Sequence, residues 1–181
     1  MESGNLIENY WPEGYQEDFK AISLDPLQEA IKMLPGGRCL EIGCGNGYWT
    51  NKLLVPKFDE VVCIDRIEKP EGLKAKYIKT DGYTLPFEDK SFDVVYSFGV
   101  FCHLPLEGQR SYLKEIKRVL RGKALISFAN WLRNDCLKHK EDFGFVDGWY
   151  YNDLEITREM CKEFKFYDFD PNYRDTIAIL W

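Results

Sequence analysis

The chain has 181 residues, of which 45% are hydrophobic, and it carries 24 basic against 30 acidic side chains. This composition excludes wholesale disorder, and the length suits a single domain over residues 1–181. The net charge of −6 and the scattered basic residues disfavour nucleic acid as a partner. The acidic N-terminal stretch has no apolar signal region, and no segment approaches the roughly 18 apolar residues of a membrane span. We therefore expect a cytoplasmic protein without membrane contact.

Six cysteines are spread along the chain, and no two of them form a C-x-x-C pair. Without such a pair a zinc site is disfavoured, so we expect no metal. Reduced, buried thiols in a cytosolic protein fit this distribution better. The six are Cys39, Cys44, Cys63, Cys102, Cys136 and Cys161.

Short apolar runs alternate with helical patterns from residue 25 onward. Asp25-Pro26 is expected to open a helix, and the Leu-Pro-Gly-Gly sequence at 34–37 ends it. Further helices are predicted at 47–55, 106–120 and 153–163. The predicted strands are 38–43, 60–65, 75–80, 91–100, 123–129, 164–169 and 176–181.

The strand pattern predicts the fold class. Strands that are apolar on both faces and separated by helices indicate a parallel sheet covered on both sides. The last two runs, 164–169 and 176–181, are only about six residues apart, too few for a helical crossover, so they should form an antiparallel hairpin. The predicted fold is α/β, with a Rossmann-like, doubly wound, mostly parallel sheet of seven strands and one reversed edge strand.

The stretch CLEIGCGNGYWT, residues 39–50, places Gly43, Gly45 and Gly47 between the first predicted strand and the first sheet helix. Open α/β sheets bind ligands at this position, outside the carboxyl ends of their strands. Glycines there let a ligand approach the backbone, and the helix start offers unpaired N–H groups. A tight turn without a ligand is the alternative reading of the same residues.

Two acidic residues strengthen the ligand reading. Asp65 ends the second strand, 18 residues past Gly47, where a carboxylate accepts hydrogen bonds from ribose hydroxyls. Asp81, followed by Gly82, ends the third strand, where a carboxylate can accept from the exocyclic amine of a purine. Each could instead be a simple cap or turn, but the coincidence of three such features at consecutive strand ends favours a nucleoside-bearing ligand.

These motifs resemble those of the class I S-adenosylmethionine (SAM)-dependent methyltransferases, especially the small-molecule branch with the ubiquinone and menaquinone biosynthesis enzymes. Glu41 and the glycine spacing separate the chain from most nicotinamide binders, which use G-x-G-x-x-G. Where relatives carry a Pro-Gly-Gly turn before the fifth strand, Arg121-Gly122-Lys123 predicts a shortened loop. The matching segments are LEIGCGNG (40–47), VVCID (61–65), TDGYTLPFEDKSFDVVYSFGVFCHLP (80–105) and YLKEIKRVLRGKALIS (112–127).

The resemblance implies a role for each motif residue. The glycine loop would wrap the methionine part of SAM, and Glu41 would help hold its amino group. Asp65 would bind the ribose, with Arg66 and Ile67 beside the adenine, and Asp81 would accept from the adenine amine. The residues after the fourth strand would line the floor beneath the sulfonium. The implied set is Glu41, Gly43, Cys44, Gly45, Asn46, Gly47, Asp65, Arg66, Asp81, Gly82, Ser97, Phe98 and Gly99.

The acceptor side is less defined by the sequence. His103 follows the fourth strand and is a candidate general base near neutral pH, although a histidine that closes the site by bonding to the backbone is the competing reading. Two aromatic segments, an N-terminal lid or helix at 1–35 and a loop at 130–152, are expected to form the acceptor pocket, unless their aromatics only pack the loops down. The candidate substrate-binding residues are Tyr10, Trp11, Tyr15, Trp131 and Trp149.

The resemblance implies in-line transfer of a methyl group from SAM to an O, N, S or C nucleophile of a small-molecule acceptor, with S-adenosylhomocysteine (SAH) as product. Alignment and exclusion of water can supply most of that catalysis. A non-catalytic SAM-binding regulatory subunit and a methyltransferase with a peptide or RNA acceptor are the alternatives. A nicotinamide oxidoreductase is disfavoured by Glu41 and by the glycine spacing. We expect a monomer or a weak homodimer.

Overall fold

The computed structural model describes residues 25–80, 82–129, 145–146, 149–150, 159, 162 and 175–180. Several predicted features lie outside these residues, so nothing in the structure bears on them. They are Tyr10, Trp11, Tyr15, Asp81, Trp131, the side chain of Trp149, most of the predicted helix at 153–163 and the predicted strand at 164–169.

The described chain forms a six-stranded sheet flanked by helices. Its helical elements are α1 (Asp25–Lys32), a π-helical segment (Thr50–Leu54), a 3-10 turn (Phe101–His103) and α2 (Leu106–Val119). The strands are β1 (Arg38–Ile42), β2 (Glu60–Asp65), β3 (Lys76–Lys79), β4 (Phe92–Ser97), β5 (Leu120–Ala129), the two-residue pair β6 (Phe145–Val146) and β7 (Trp149–Tyr150), and β8 (Asp175–Leu180).

The strand order in the sheet is β3-β2-β1-β4-β5-β8. The pairs among β1 to β5 are all parallel, which confirms the predicted parallel α/β sheet for these five strands. β8 pairs antiparallel with β5, from Ala124 opposite Leu180 to Ala129 opposite Asp175. Because the strand at 164–169 is outside the described residues, the seven-stranded sheet with its reversed edge strand stays a prediction.

Two hydrophobic layers cover the faces of this sheet. On one face Leu40 and Ile42 of β1 pack with Ile116 of α2, and all three are buried. On the other face Cys39 of β1 packs in a cluster with Ala30 of α1. Burial on both faces explains why β1 and β4 are almost continuously apolar in sequence. The exception in β1 is Glu41, which belongs to the site described below.

The predicted shortened loop before the fifth strand is wrong. β5 begins at Leu120, directly after α2, so Arg121-Gly122-Lys123 lies within the strand. Gly122 is required there because a Cβ atom would lie 2.2 Å from the carbonyl oxygen of Asp93. The Arg121 side chain joins the start of β5 to β4 by two hydrogen bonds to the Asp93 carboxylate. Its Nε donates to Oδ1 at 2.5 Å and its Nη2 donates to Oδ2 at 2.8 Å. A backbone bulge between Phe92 and Val94 accommodates this contact.

No helix in residues 25–80 and 82–129, or in the shorter described stretches, is long and apolar enough to cross a membrane. Across the same described residues no group of three or more His, Cys, Asp or Glu side chains is arranged to hold a metal ion.

Candidate active site

The glycine loop follows β1 directly and is built on three left-handed glycines. The φ angles are +77° at Gly43, +52° at Gly45 and +76° at Gly47, a region that glycine enters without steric cost. A Cβ at Gly43 would lie 2.1 Å from Cγ2 of Val100, and one at Gly47 would lie 2.8 Å from Cδ1 of Leu73. A Cβ at Gly45 would meet no atom of the described residues within 4 Å. Gly43 and Gly47 are therefore needed for the protein's own packing, whereas Gly45 faces open space.

Asp65 joins the end of β2 to this loop. Its Oδ2 accepts from the N–H of Gly45 at 2.7 Å. Its Oδ1 accepts from the N–H of Arg66 at 2.7 Å and from that of Ile67 at 3.4 Å. The structure thus brings two of the predicted cofactor motifs into direct contact. A carboxylate can accept about four hydrogen bonds, and these three leave one position for another donor.

Glu41 is almost completely buried, with 2% of its surface exposed. Its Oε2 accepts from the hydroxyl of Thr50 at 2.5 Å and from the thiol of Cys63 at 3.2 Å. Burial raises the pKa of Glu41 to about 7, although these two hydrogen bonds act in the opposite direction. Glu41 therefore ties β1 to β2 and to the π-helical segment beneath the glycine loop. Its predicted contact with the amino group of SAM stays a prediction.

The raised pKa of Glu41 makes the protein's stability depend on pH. The unfolded carboxyl titrates near its ordinary value of 4.5 and the folded one near 7. Between these values the folded state holds a proton that the unfolded state has lost, so the free energy of unfolding falls as the pH rises from 4.5 to 7. Glu41→Gln should remove this slope and be more stable than the natural protein at about pH 8, by roughly 3 kcal/mol.

Urea unfolding between about pH 5 and about pH 8 measures this effect. Glu29→Gln is the matched control, because Glu29 is exposed and its one ion pair among the described residues is with Lys32, three residues along α1. Its profile should keep the slope of the natural protein. An equal slope in the Glu41→Gln variant would show that the buried carboxyl does not titrate in this range.

The residues after β4 form the facing wall of the site. Ser97 is fully buried and donates its hydroxyl to the carbonyl of Ile42 at 3.1 Å, so this side chain links β4 to β1. Gly99 has a φ of +71°, and no atom in the part of the chain that the structure describes would lie within 4 Å of a Cβ there. Its N–H donates to the hydroxyl of Ser127 on β5 at 2.8 Å. Gly99, like Gly45, faces open space at the carboxyl end of a central strand.

Further predicted site residues that the structure describes lie in the glycine loop or after β4. Cys44 is buried within the loop, and Asn46 is exposed, with its Oδ1 accepting from the N–H of Tyr48 at 3.0 Å. Phe98 is half-buried against the hydrophobic layer on the α1 side. His103 ends the 3-10 turn, is half-buried, and donates its N–H to the carbonyl of Val100 at 2.9 Å. The backbone of β7, which includes Trp149, lies against this turn.

Several contacts at the site involve residues that the sequence did not single out. Thr50, Ser127 and Tyr77 each hold a predicted site residue or the loop that carries it. Tyr112, which was predicted only as part of an apolar helix face, donates its hydroxyl to the carbonyl of Gly82 at 3.2 Å. Of these four, only Ser127 is a polar residue in an otherwise apolar stretch of strand, which is a signal that the sequence offered.

Residues 40–128 match the family described as methyltransferase domain. This match covers 89 of the 181 residues, so the chain is similar to the methyltransferase domain family over just under half of its length. The match confirms the predicted resemblance to the SAM-dependent methyltransferases, a family of enzymes that use SAM as cofactor. The open space at Gly45 and Gly99, together with the absence of basic side chains among the predicted contacts other than Arg66, fits a cationic sulfonium ligand with an amino-acid tail.

The methyltransferase domain has relatives that act on chemically different acceptors. Over 122 residues it is 32% identical to a sterol 24-C-methyltransferase of Gibberella zeae, and the alignment covers 60% of this chain and 31% of that protein. Over 177 residues it is 28% identical to a glycine/sarcosine/dimethylglycine N-methyltransferase of Actinopolyspora halophila, which covers 84% of this chain and 31% of that protein. The chain thus spans 31% of the length of each of these two curated relatives.

Solved structures share the fold of the methyltransferase domain. The magnesium protoporphyrin IX methyltransferase of Synechocystis, solved with bound SAH, superimposes with a TM-score of 0.66 at 18% identity. The match covers 94% of this chain and 88% of that one. At this identity the likeness establishes a common fold and not a common acceptor.

Proposed function

We propose that the protein transfers the methyl group of SAM to an O, N, S or C nucleophile of a small-molecule acceptor and releases SAH. The observation that carries this proposal is the space at Gly45 and Gly99, which follow the carboxyl ends of the adjacent strands β1 and β4. Among the described residues, no atom lies within 4 Å of a Cβ built at either glycine. Open parallel sheets bind their ligands at this edge. SAM supplies an electrophilic methyl group on a sulfonium sulfur.

The residues of the glycine loop and of the two strand ends would hold the cofactor. In this proposal the loop 43–47 receives the amino-acid tail, where the start of the following helix adds N–H donors for its carboxylate. Asp65 accepts from the ribose hydroxyls, with Arg66 and Ile67 beside the adenine. Asp81 and Gly82 serve the adenine edge, and Phe98 and Gly99 line the sulfonium side.

Catalysis would come from alignment of the acceptor and from exclusion of water. His103 is the candidate base, because it ends the turn that follows the β4 wall of the opening. The β7 backbone against that turn supports an acceptor pocket formed in part by the segment 130–152 and Trp149. Trp131 and, from the N-terminal segment, Tyr10, Trp11 and Tyr15 complete the proposed pocket. The sterol and glycine substrates in the relatives' names favour a small acceptor over a peptide or RNA.

Three further features belong to this proposal. The strand at 164–169 would complete a seven-stranded sheet with a reversed edge strand. The free, buried thiols of Cys39, Cys44, Cys63 and Cys102 support a reducing, cytoplasmic location. The active form would be a monomer or a weak homodimer, because the proposed site draws on a single chain.

Calorimetric titration with SAM, SAH and NAD tests the cofactor, and conversion of SAM to SAH across a panel of small acceptors tests the activity. We expect SAM and SAH to bind and NAD not to bind, with turnover on at least one small-molecule class. Binding without turnover on any small, peptide or RNA acceptor would favour a regulatory subunit. Binding of NAD alone would overturn the proposal.

The same assay decides the role of His103. His103→Gln should lower turnover by about 100-fold if the imidazole removes a proton from the acceptor, and it should leave the SAM dissociation constant unchanged. Unchanged turnover would assign this histidine to a structural role. Because cofactor binding is measured independently, either result leaves the cofactor assignment intact.

A further inference from the structure

The backbone loop after β2 is held by a tyrosine of the neighbouring strand. Tyr77 lies on β3, opposite Cys63 in the parallel register. Its hydroxyl donates to the carbonyl of Ile67 and lies 3.4 Å from the carbonyl of Asp65. The same loop is held from its inner side by the Asp65 carboxylate, which accepts from the N–H of Arg66. The segment 65–67 is thus fixed through both its carbonyls and its N–H groups.

The loop after β3 is held in the same manner from α2. The hydroxyl of the buried Tyr112 donates to the carbonyl of Gly82 at 3.2 Å. The ring of Tyr83 packs edge-on against the ring of Tyr112, with centroids 5.2 Å apart. Gly108 of α2 makes room for that ring, because a Cβ there would lie 2.8 Å from the Tyr83 hydroxyl oxygen. On the other side of position 81, the N–H of Thr80 donates to the carbonyl of Asp65 at 2.8 Å.

Both phenols remain hydrogen-bond donors throughout the neutral range. Burial and the nearby Asp65 carboxylate raise the pKa of Tyr77 above its ordinary value. Burial raises the pKa of Tyr112 to about 12, with Tyr83 acting in the same direction. An ionised phenolate has no O–H to donate to a carbonyl oxygen, so these contacts require the protonated phenol.

Two loops that the proposed function assigns to the ribose and the adenine are therefore fixed by two phenol hydroxyls, each from a different neighbouring element. We infer that Tyr77 and Tyr112 are positioning residues for the adenosyl half of SAM, which act through the backbone of 65–67 and 82–83. This inference rests on the proposed function. It separates the adenosyl side, set by these two tyrosines, from the amino-acid side, set by the glycine loop.

Tyr77→Phe and Tyr112→Phe test the inference, because each removes one hydroxyl and keeps the ring. Calorimetry with SAH and with 5′-methylthioadenosine, which has the adenosyl group but no amino-acid tail, gives the readout. Each variant should weaken both ligands by the same factor, about 5- to 10-fold. Hydrogen exchange should rise in peptides that cover 65–68 and 82–85 and stay unchanged in α1.

Tyr96→Phe is the matched control, because the buried hydroxyl of Tyr96 on β4 makes no hydrogen bond with any described residue, and this variant should bind both ligands like the natural protein. If the natural protein binds and all three variants bind equally well, or if only SAH is weakened, the inference is overturned and the proposed function is not. If the natural protein binds neither SAM nor SAH, the proposed function fails and this inference with it. Should one tyrosine variant not fold, the other decides alone.

Discussion

Replacing Gly45 by leucine is expected to weaken SAM and SAH binding by more than about 100-fold while the protein remains folded. The physical reason is the position of the missing side chain. A Cβ at Gly45 meets none of the described atoms within 4 Å, so the leucine side chain enters the space beside the glycine loop rather than the core. In the proposed function this space receives the amino-acid tail of SAM. Calorimetry measures the loss, and thermal unfolding shows that the fold persists.

The matched control for this substitution is Gly72→Leu. Gly72 has a φ of +73°, in the same left-handed region as the +52° of Gly45, and across the described ranges no atom lies within 4 Å of a Cβ there either. Both variants therefore carry the same left-handed backbone penalty of about 1–2 kcal/mol. Gly72 is exposed in the loop between β2 and β3, so its variant should bind SAH normally. Equal binding losses in the two variants would mean that strain, and not occlusion, is responsible.

The three glycines also mark what the sequence could and could not predict. Their spacing located the loop after the first strand, and the structure has it there. The pattern could not separate Gly45, which faces the opening, from Gly43, which is required by contact with Val100. That contact joins Gly43, just after β1, to Val100, just after β4, which are 57 residues apart in sequence. Only the folded arrangement of β1 beside β4 brings them together.

The strands themselves were predictable where the local pattern was complete. The apolar run EVVCID between polar turns predicted 60–65, and β2 is Glu60–Asp65. The sequence does not predict the start of β5, because Leu120-Arg121-Gly122 follows a helix without a turn signal. The charged Arg121 is accommodated in the strand by its contact with the Asp93 carboxylate. A charged pair between neighbouring strands leaves no periodicity in the sequence, so a loop was the natural expectation.

The same limit applies to the polar contacts beneath the site. The position of Glu41 in the motif predicts that it helps to hold the amino group of SAM. In the structure its Oε2 is bonded to Thr50 and Cys63, so the residue also organises the protein itself. The sequence of β3 gives no sign of a role for Tyr77, yet its hydroxyl holds the loop that carries Arg66 by donating to the carbonyl of Ile67. Hydrogen bonds between elements depend on register and side-chain direction, which composition and spacing do not encode.

Asp65→Asn is expected to weaken SAM and SAH binding by about 30- to 100-fold. In the structure every oxygen of this carboxylate faces a backbone donor, with Oδ2 at 2.7 Å from the N–H of Gly45 and Oδ1 at 2.7 Å from that of Arg66. An amide nitrogen must replace one of these oxygens, so a donor would face a donor in either orientation. The variant therefore releases the glycine loop or the ribose-side loop, and it also loses the proposed acceptor for the ribose hydroxyls.

Asp59→Asn separates this effect from the loss of one negative charge. Asp59 is exposed in the turn before β2, at the opposite end of the same strand from Asp65, and its variant should bind SAH like the natural protein. The Asp65→Asn variant should lose affinity for 5′-methylthioadenosine as well as for SAH, since the ribose is common to both. If it lost affinity for SAH alone, Asp65 would act only by holding Gly45, and the ribose would have a different acceptor. Affinities within about threefold of the natural protein for both ligands would remove Asp65 from the site, because neither of its two proposed roles tolerates the amide.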